Sequence, residues 1–263
     1  MTAPGAGTRR GEVRQFVSNN LGLLPYPVGT LASDRPGSHI MAATALSWLC
    51  DIAVDRWGEP WATGGMIDLR FRSHLEAGLD LELVGDHDAD GVDLTVRTAA
   101  APDEQFVTGR ADAIGNRPFA MPAGDGPSTR VALDPAALDG LVLRPIELTF
   151  EAERDLRMAD HLPGGSFWLD RGWAHPGWFA SVANAAAATS IAFDPPTWMY
   201  AGVRVDMHAP VTDGPLVTGG RIVELFQSRR YRFAVCELSA QRDGKPVVSM
   251  RTTFVYGANP SAT

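Results

Sequence analysis

HPGWFASVANAAAAT occupies residues 175–189 and is small or apolar at almost every position, apart from one amide, Asn184, and a leading histidine, His175. At helical spacing Ala180, Asn184, Ala187 and Ile191 form one stripe. Trp178, Val182, Ala186 and Thr189 form the opposite one. A helix that is apolar on nearly all sides is a buried helix. Its alanines let a sheet approach closely. Pro176 suits the first helical position, where its missing N–H costs nothing. Asp194, Pro195 and Pro196 form the expected stop, so the helix is predicted over 176–193.

Outward from this helix the chain repeats itself. HIMAATALSWLCDIAVDRW (39–57) is a second long apolar helical segment. DLRFRSHLEAGLDLELVGD (68–86) resembles GVRVDMHAPVTDGPLVTGG (202–220) at an offset of 134. Arg70 then matches Arg204, His74 matches His208, Leu83 matches Val217 and Gly85 matches Gly219. FVTGRADA (106–113) resembles VVSMRTTF (247–254), with Arg110 opposite Arg251. Each copy reads as a helix followed by strands. GVRVDMHAPV, RYRFAVCELSAQ (230–241) and VVSMRTTFVY (247–256) alternate as half-buried strands do. Asp243-Gly244 between the last two marks a hairpin. GNRPFAMPAGDGPSTR (115–130), rich in Gly and Pro, reads as a connector. A helix followed by antiparallel strands, twice over, is an α+β arrangement.

The chain has 263 residues, 45% hydrophobic and 21% charged, enough apolar mass for a real core. A net charge of −8 argues against nonspecific nucleic-acid binding, which relies on Lys and Arg at phosphates. The two cysteines, Cys50 and Cys236, stand in apolar contexts and read as buried free thiols. No HExxH, CxxC or His cluster points to a metal, and no cofactor is expected. GxSxG is absent, so the nucleophile elbow of an α/β hydrolase is not expected. No apolar run approaches membrane-span length, and the N-terminus lacks the apolar core of a signal peptide. The expectation is a cytoplasmic chain with no membrane or nucleic-acid partner.

A long central helix held by a curved antiparallel sheet describes a hotdog, and the tandem pattern resembles the double-hotdog acyl-CoA thioesterases. The resemblance runs from about residue 20 to 256 and rests on short matches. RPIEL (144–148) resembles the segment opening that family's second half. SFWLDRGW (166–173) resembles its next strand. His175 and HAP (208–210) resemble its His before the second helix and its His-x-Pro. The resemblance implies a tandem hotdog with two antiparallel sheets, each wrapping a central helix, and the two sheets are expected to join side by side by pairing their edge strands. The first hotdog spans 12–115, a linker 116–142 and the second hotdog 143–258. The partner it implies is an acyl-CoA or another acyl thioester, and a homo-oligomer is compatible with it.

The same resemblance implies a catalytic Asp nine residues after the His, which falls on Asn184. A family Thr falls near Tyr200, and a family Gln falls on Thr252. All three positions are therefore substituted. Thioester hydrolysis needs an aimed water, a proton acceptor and donors for the oxyanion. An Asn cannot take the proton, although it can orient a water. The site expected is Asn184, Tyr200 and Thr252, with His175 and Trp178 binding substrate. The alternative is Asp34 and His39 in LASDRPGSHI (31–40), at the spacing of hotdog enoyl-CoA hydratases. A noncatalytic acyl-binding protein is the third reading. Asp51, on the first helix, is a lesser candidate, because other hotdog thioesterases carry an acid there. QSRRYR (227–232) is a candidate for CoA phosphates.

Overall fold

Eighteen short and long elements follow one another in the computed structural model, which describes residues 10–17, 40, 42–76, 78–116, 118–156, 166–193, 199–228 and 230–258. The first half holds β1 (Arg10–Val17), α1 (Ala42–Trp57), α2 (Glu59–Gly64), β2 (Met66–Phe71), β3 (Asp80–His87), β4 (Gly91–Thr98) and β5 (Gln105–Asp112). Then come β6 (Val131–Ala132) and α3 (Pro135–Leu138). The second half holds β7 (Val142–Phe150), α4 (Ala152–Asp155), α5 (Ser166–Arg171), α6 (Pro176–Ser190), β8 (Ile191–Ala192), β9 (Met199–Met207), β10 (Gly214–Gln227), β11 (Tyr231–Arg242) and β12 (Lys245–Ala258).

The long strands form one antiparallel sheet of ten, in the order β1-β3-β4-β5-β2-β9-β12-β11-β10-β7. Read from either edge toward the middle, the two halves have the same topology. β3 starts at Asp80 and β10 at Gly214, 134 residues apart, as the repeat requires. The halves meet where β2 pairs with β9. There Leu69 lies opposite Val203, again 134 residues apart, so equivalent residues face each other across a local two-fold. The two sheets expected from the sequence join side by side into one continuous sheet. Joining at β2 and β9 gives both inner strands a partner and leaves no open edge at the centre.

Strand alternation sends Ile67, Leu69, Val203, Val205, Met250 and Thr252 to the helix side of the seam, where all are buried. Helices α1 and α6 pack against each other over this face and are buried along most of their lengths. Their backbones approach closely, because a Cβ at Gly177 would fall on Ser47 Oγ and 2.5 Å from Ala43 O. Ala43, Ser47 and Asp51 recur every fourth residue, so one face of α1 turns toward the start of α6.

On the opposite face the Gly/Pro-rich connector crosses the second half and is pinned there. Asn116 N donates to Asp206 Oδ1 at 2.7 Å, and Phe119 N donates to Ser249 Oγ at 2.9 Å. Arg144 reaches Pro127 O through Nε, at 3.1 Å. The Asp-Gly hairpin forms as expected. Asp243 (φ 51°) and Gly244 (φ 73°) both take positive φ, as a type I′ turn needs.

Two local expectations are corrected. SFWLDRGW is not a strand: Ser166–Arg171 is helix α5. Trp168 is buried and Arg171, one turn on, faces the first half through Glu59, a helical spacing. Gly172, at φ 60°, ends the helix. Helix α6 stops at Ser190, three residues before the predicted end. Ile191 turns extended (φ −120°, ψ 132°), and Ile191–Ala192 pairs in parallel with Val131–Ala132. β-branched Ile191 is at home in that bridge.

Candidate active site

At the start of α6, His175 is the N-cap residue. Its Nδ1 accepts from Gly177 N at 3.1 Å. An imidazole nitrogen that accepts carries no proton, so the ring proton sits on Nε2. Nε2 is buried and has no hydrogen-bond partner among the described residues. It points to Asp51 Oδ1 at 3.8 Å, beyond direct hydrogen-bonding distance. Asp51 lies on the α1 face that meets the start of α6, two turns beyond Ala43. The side chains are 1% and 0% exposed, and each comes from a different half of the chain. Trp168, from α5, completes the cluster. Its Nε1 donates to Asp51 Oδ1 at 3.3 Å, and its ring centre lies 4.8 Å from that of His175.

A buried carboxylate beside an imidazole N–H pairs a proton acceptor with a fixed donor at one point. The local sequence explains the placement. Gly177 and Ser47 are small enough to bring the helices together, and that approach carries His175 to Asp51.

The residues expected at the site are distributed as follows. Tyr200 OH donates to Ala180 O at 2.5 Å, one turn before Asn184 on α6. Its ring packs on Phe254 at 4.5 Å, and burial pushes its phenol well above the usual range. Asn184 Oδ1 and Thr252 Oγ1 are buried without a hydrogen-bond partner of ordinary geometry. Thr252 faces Cys236 across the β11–β12 ladder. Burial pushes the Cys236 thiol up to about 12, and Thr252 beside it acts the other way. Cys50 is also pushed up, by burial first and then by the neighbouring Asp51. Both thiols therefore stay protonated and unreactive. Among the described residues no hydrogen bond joins Asn184, Tyr200 and Thr252 to one another, and Tyr200 spends its hydroxyl on the helix backbone. Trp178 sits in the core, edge-on to Phe150 and Phe179. Asp34 and His39 lie outside the described residues. In QSRRYR, Tyr231 is exposed and Ser228 ties the turn by accepting on Oγ from Tyr231 N. Among the described residues no group of His, Cys, Asp and Glu is arranged to hold a metal, and no helix is long and apolar enough to cross a membrane.

Sequence reasoning placed His175 among substrate-binding residues and Asp51 among minor candidates. It did not join them, because 124 residues separate them and no local spacing links them. The one available signal was the small-residue face Ala43-Ser47 opposite Gly177.

No protein-family model matches the chain, and no curated protein matches it either. Solved structures do match along nearly the whole length. RV0216, a conserved hypothetical protein of Mycobacterium tuberculosis with a double hotdog fold, is 15% identical at a TM-score of 0.61, covering 94% of this chain and 96% of that one. GphF Dehydratase 1 is 14% identical at 0.56, with 96% and 95% covered. A proposed thioesterase from Novosphingobium aromaticivorans is 12% identical at 0.53, with 93% and 95% covered. At these identities the likeness is one of architecture: the chain is a double hotdog, α+β in class, with one helix per half laid on a shared antiparallel sheet.

Proposed function

We propose that the chain hydrolyses an acyl thioester at the seam between α1 and α6, with Asp51 as base and His175 as hydrogen-bond donor. The observation that supports this is the 3.8 Å approach of a buried carboxylate to an unpartnered Nε2–H, one from each half. In this reading 12–115 and 143–258 are the two hotdog units, and 116–142 links them. Asp51 takes a proton from water as its oxygen bonds to the thioester carbonyl carbon. The developing oxyanion accepts from His175 Nε2–H, whose position is fixed by the Nδ1 cap. The C–S bond then breaks, and the proton on Asp51 passes to the leaving sulfur. The products are a carboxylic acid and a thiol. Asp51 on the first helix supplies the acid–base group that Asn184 on the second cannot supply. Asn184 Oδ1, buried and without a hydrogen-bond partner among the described residues, is free to accept from an amide group of the thiol arm of the substrate.

The test is thiol release from acyl-CoAs of short to long chain. Asp51→Asn keeps the shape and loses the base, so kcat falls by about 100-fold or more. His175→Asn keeps an N-cap acceptor and loses the Nε2 donor, with a loss of about 100-fold. A second reading rests on the orphaned Oδ1 of Asn184 and puts a water-aiming site there. It gives the reverse pattern: Asn184→Ala abolishes thiol release while Asp51→Asn spares it. Absence of thiol release together with enoyl-CoA hydration, lost in His39→Ala, would instead make the chain a hydratase working through Asp34 and His39. Acyl-CoA binding without any turnover would leave a binding protein.

A further inference from the structure

We infer that Trp168 is the positioning residue of this site, orienting the Asp51 carboxylate and fixing the plane of His175 from a short helix that bridges the two halves. The inference rests on the hydrolytic reading above. Helix α5 belongs to the second half, yet both of its polar contacts of this kind reach the first. Trp168 Nε1 donates to Asp51 Oδ1 at 3.3 Å on α1. Arg171 Nε donates to Glu59 Oε1 at 2.8 Å, at the start of α2. Residues 168 and 171 are one turn apart, so a single face of α5 makes both contacts. The same face is stiffened by Arg171, which lies 4.1 Å over the Phe167 ring.

Trp168 touches both members of the pair. Its N–H supplies a hydrogen bond to the carboxylate, and a bond to the charged form favours that form. Its ring, inclined 57° to the imidazole at 4.8 Å, leaves His175 one orientation, the one in which Nδ1 meets Gly177 N. The ring itself is 1% exposed, so the indole N–H is not satisfied by solvent. Two other buried indoles behave differently: Trp61 Nε1 donates to the backbone oxygen of Met66, and Trp178 Nε1 has no hydrogen-bond partner among the described residues.

Trp168→Phe separates the two contributions, because it keeps most of the ring and removes the N–H. Asp51 acts as the base, so activity appears as pH rises through its pKa. Loss of the donor makes the carboxylate harder to ionise. The acidic limb of the kcat–pH profile is therefore expected to move to higher pH, with kcat at neutral pH falling by about tenfold. The carboxyl carbon of Asp51, followed by NMR in aspartate-labelled protein, is expected to titrate at higher pH in Trp168→Phe than in the parent. This second readout needs no turnover. If acyl thioesters are not hydrolysed but the Asp51 titration moves, the hydrolytic reading fails and the positioning contact stands. If Trp168→Phe leaves both the titration and the profile unchanged, Trp168 is core packing and the inference is wrong. Arg171→Ala, which loosens α5 without touching the pair, is expected to shift both readouts in the same direction and by less.

Discussion

His175 divides its ring between two tasks. Nδ1 closes the first turn of α6, and that bond determines which nitrogen is left to act as donor toward Asp51. The two tasks can be separated, since an N-cap replacement by Ala costs about 1 kcal/mol while Asn preserves the cap. His175→Asn should therefore melt close to the parent temperature and lose turnover. The cysteines behave oppositely. Both are buried, and burial holds both thiols up. A thiol reagent is expected to label neither Cys50 nor Cys236 in the native protein and to label two thiols per chain after denaturation. Rapid labelling of the native protein would contradict the burial of these sulfurs. Their apolar neighbours made this legible in the sequence. The pairing of Asp51 with His175 was not legible, because it depends on how closely two helices pack rather than on any local spacing.

Among the elements, α1 and α6 carry the site, and their contact depends on one missing side chain. A Cβ at Gly177 would meet Ser47 Oγ and Ala43 O, and a backbone oxygen cannot rotate away. Gly177→Ala is expected to cost about 1–3 kcal/mol, read as a lower denaturant midpoint, and to reduce turnover by opening the gap between His175 and Asp51. Gly177→Ala at parental stability would show that the helices have room to spare. Helix periodicity read both long helices correctly, since each is apolar nearly all round. The strand expected at α5 came from the family resemblance, and six residues are too few to show a helical period that would have opposed it. The element with the weakest sequence signal is thus the one that brings Trp168 to Asp51.

At the scale of the whole molecule, the repeat was visible because equivalent strands keep their spacing of 134 residues. The joining of the two sheets was also expected, since an edge strand gains from a partner, but not which strands meet, because strand order is not written in alternation. The connector is held to the outer face by a titratable contact. His208 Nε2 lies 2.9 Å from Ser249 Oγ, which itself accepts from Phe119 N. Burial lowers the His208 pKa, with Asp206 acting the other way. Below the ordinary histidine value of about 6.5 the unfolded chain takes up the proton more readily, so stability is present above that pH and declines as pH falls below it. His208→Gln is expected to flatten this acid-side decline in Tm. A decline of the same steepness in the variant would assign it to other groups. Beyond stability, the double-hotdog architecture places a helix from each half at one seam, and the proposed chemistry needs a group from each.

The most direct measurement is thiol release from a chain-length series of acyl-CoAs by the parent protein and by Asp51→Asn, run side by side. Release by the parent at a preferred chain length is expected, with a fall of about 100-fold in the folded variant. Equal release by both proteins would contradict the role given to Asp51 and move hydrolysis away from the α1–α6 seam.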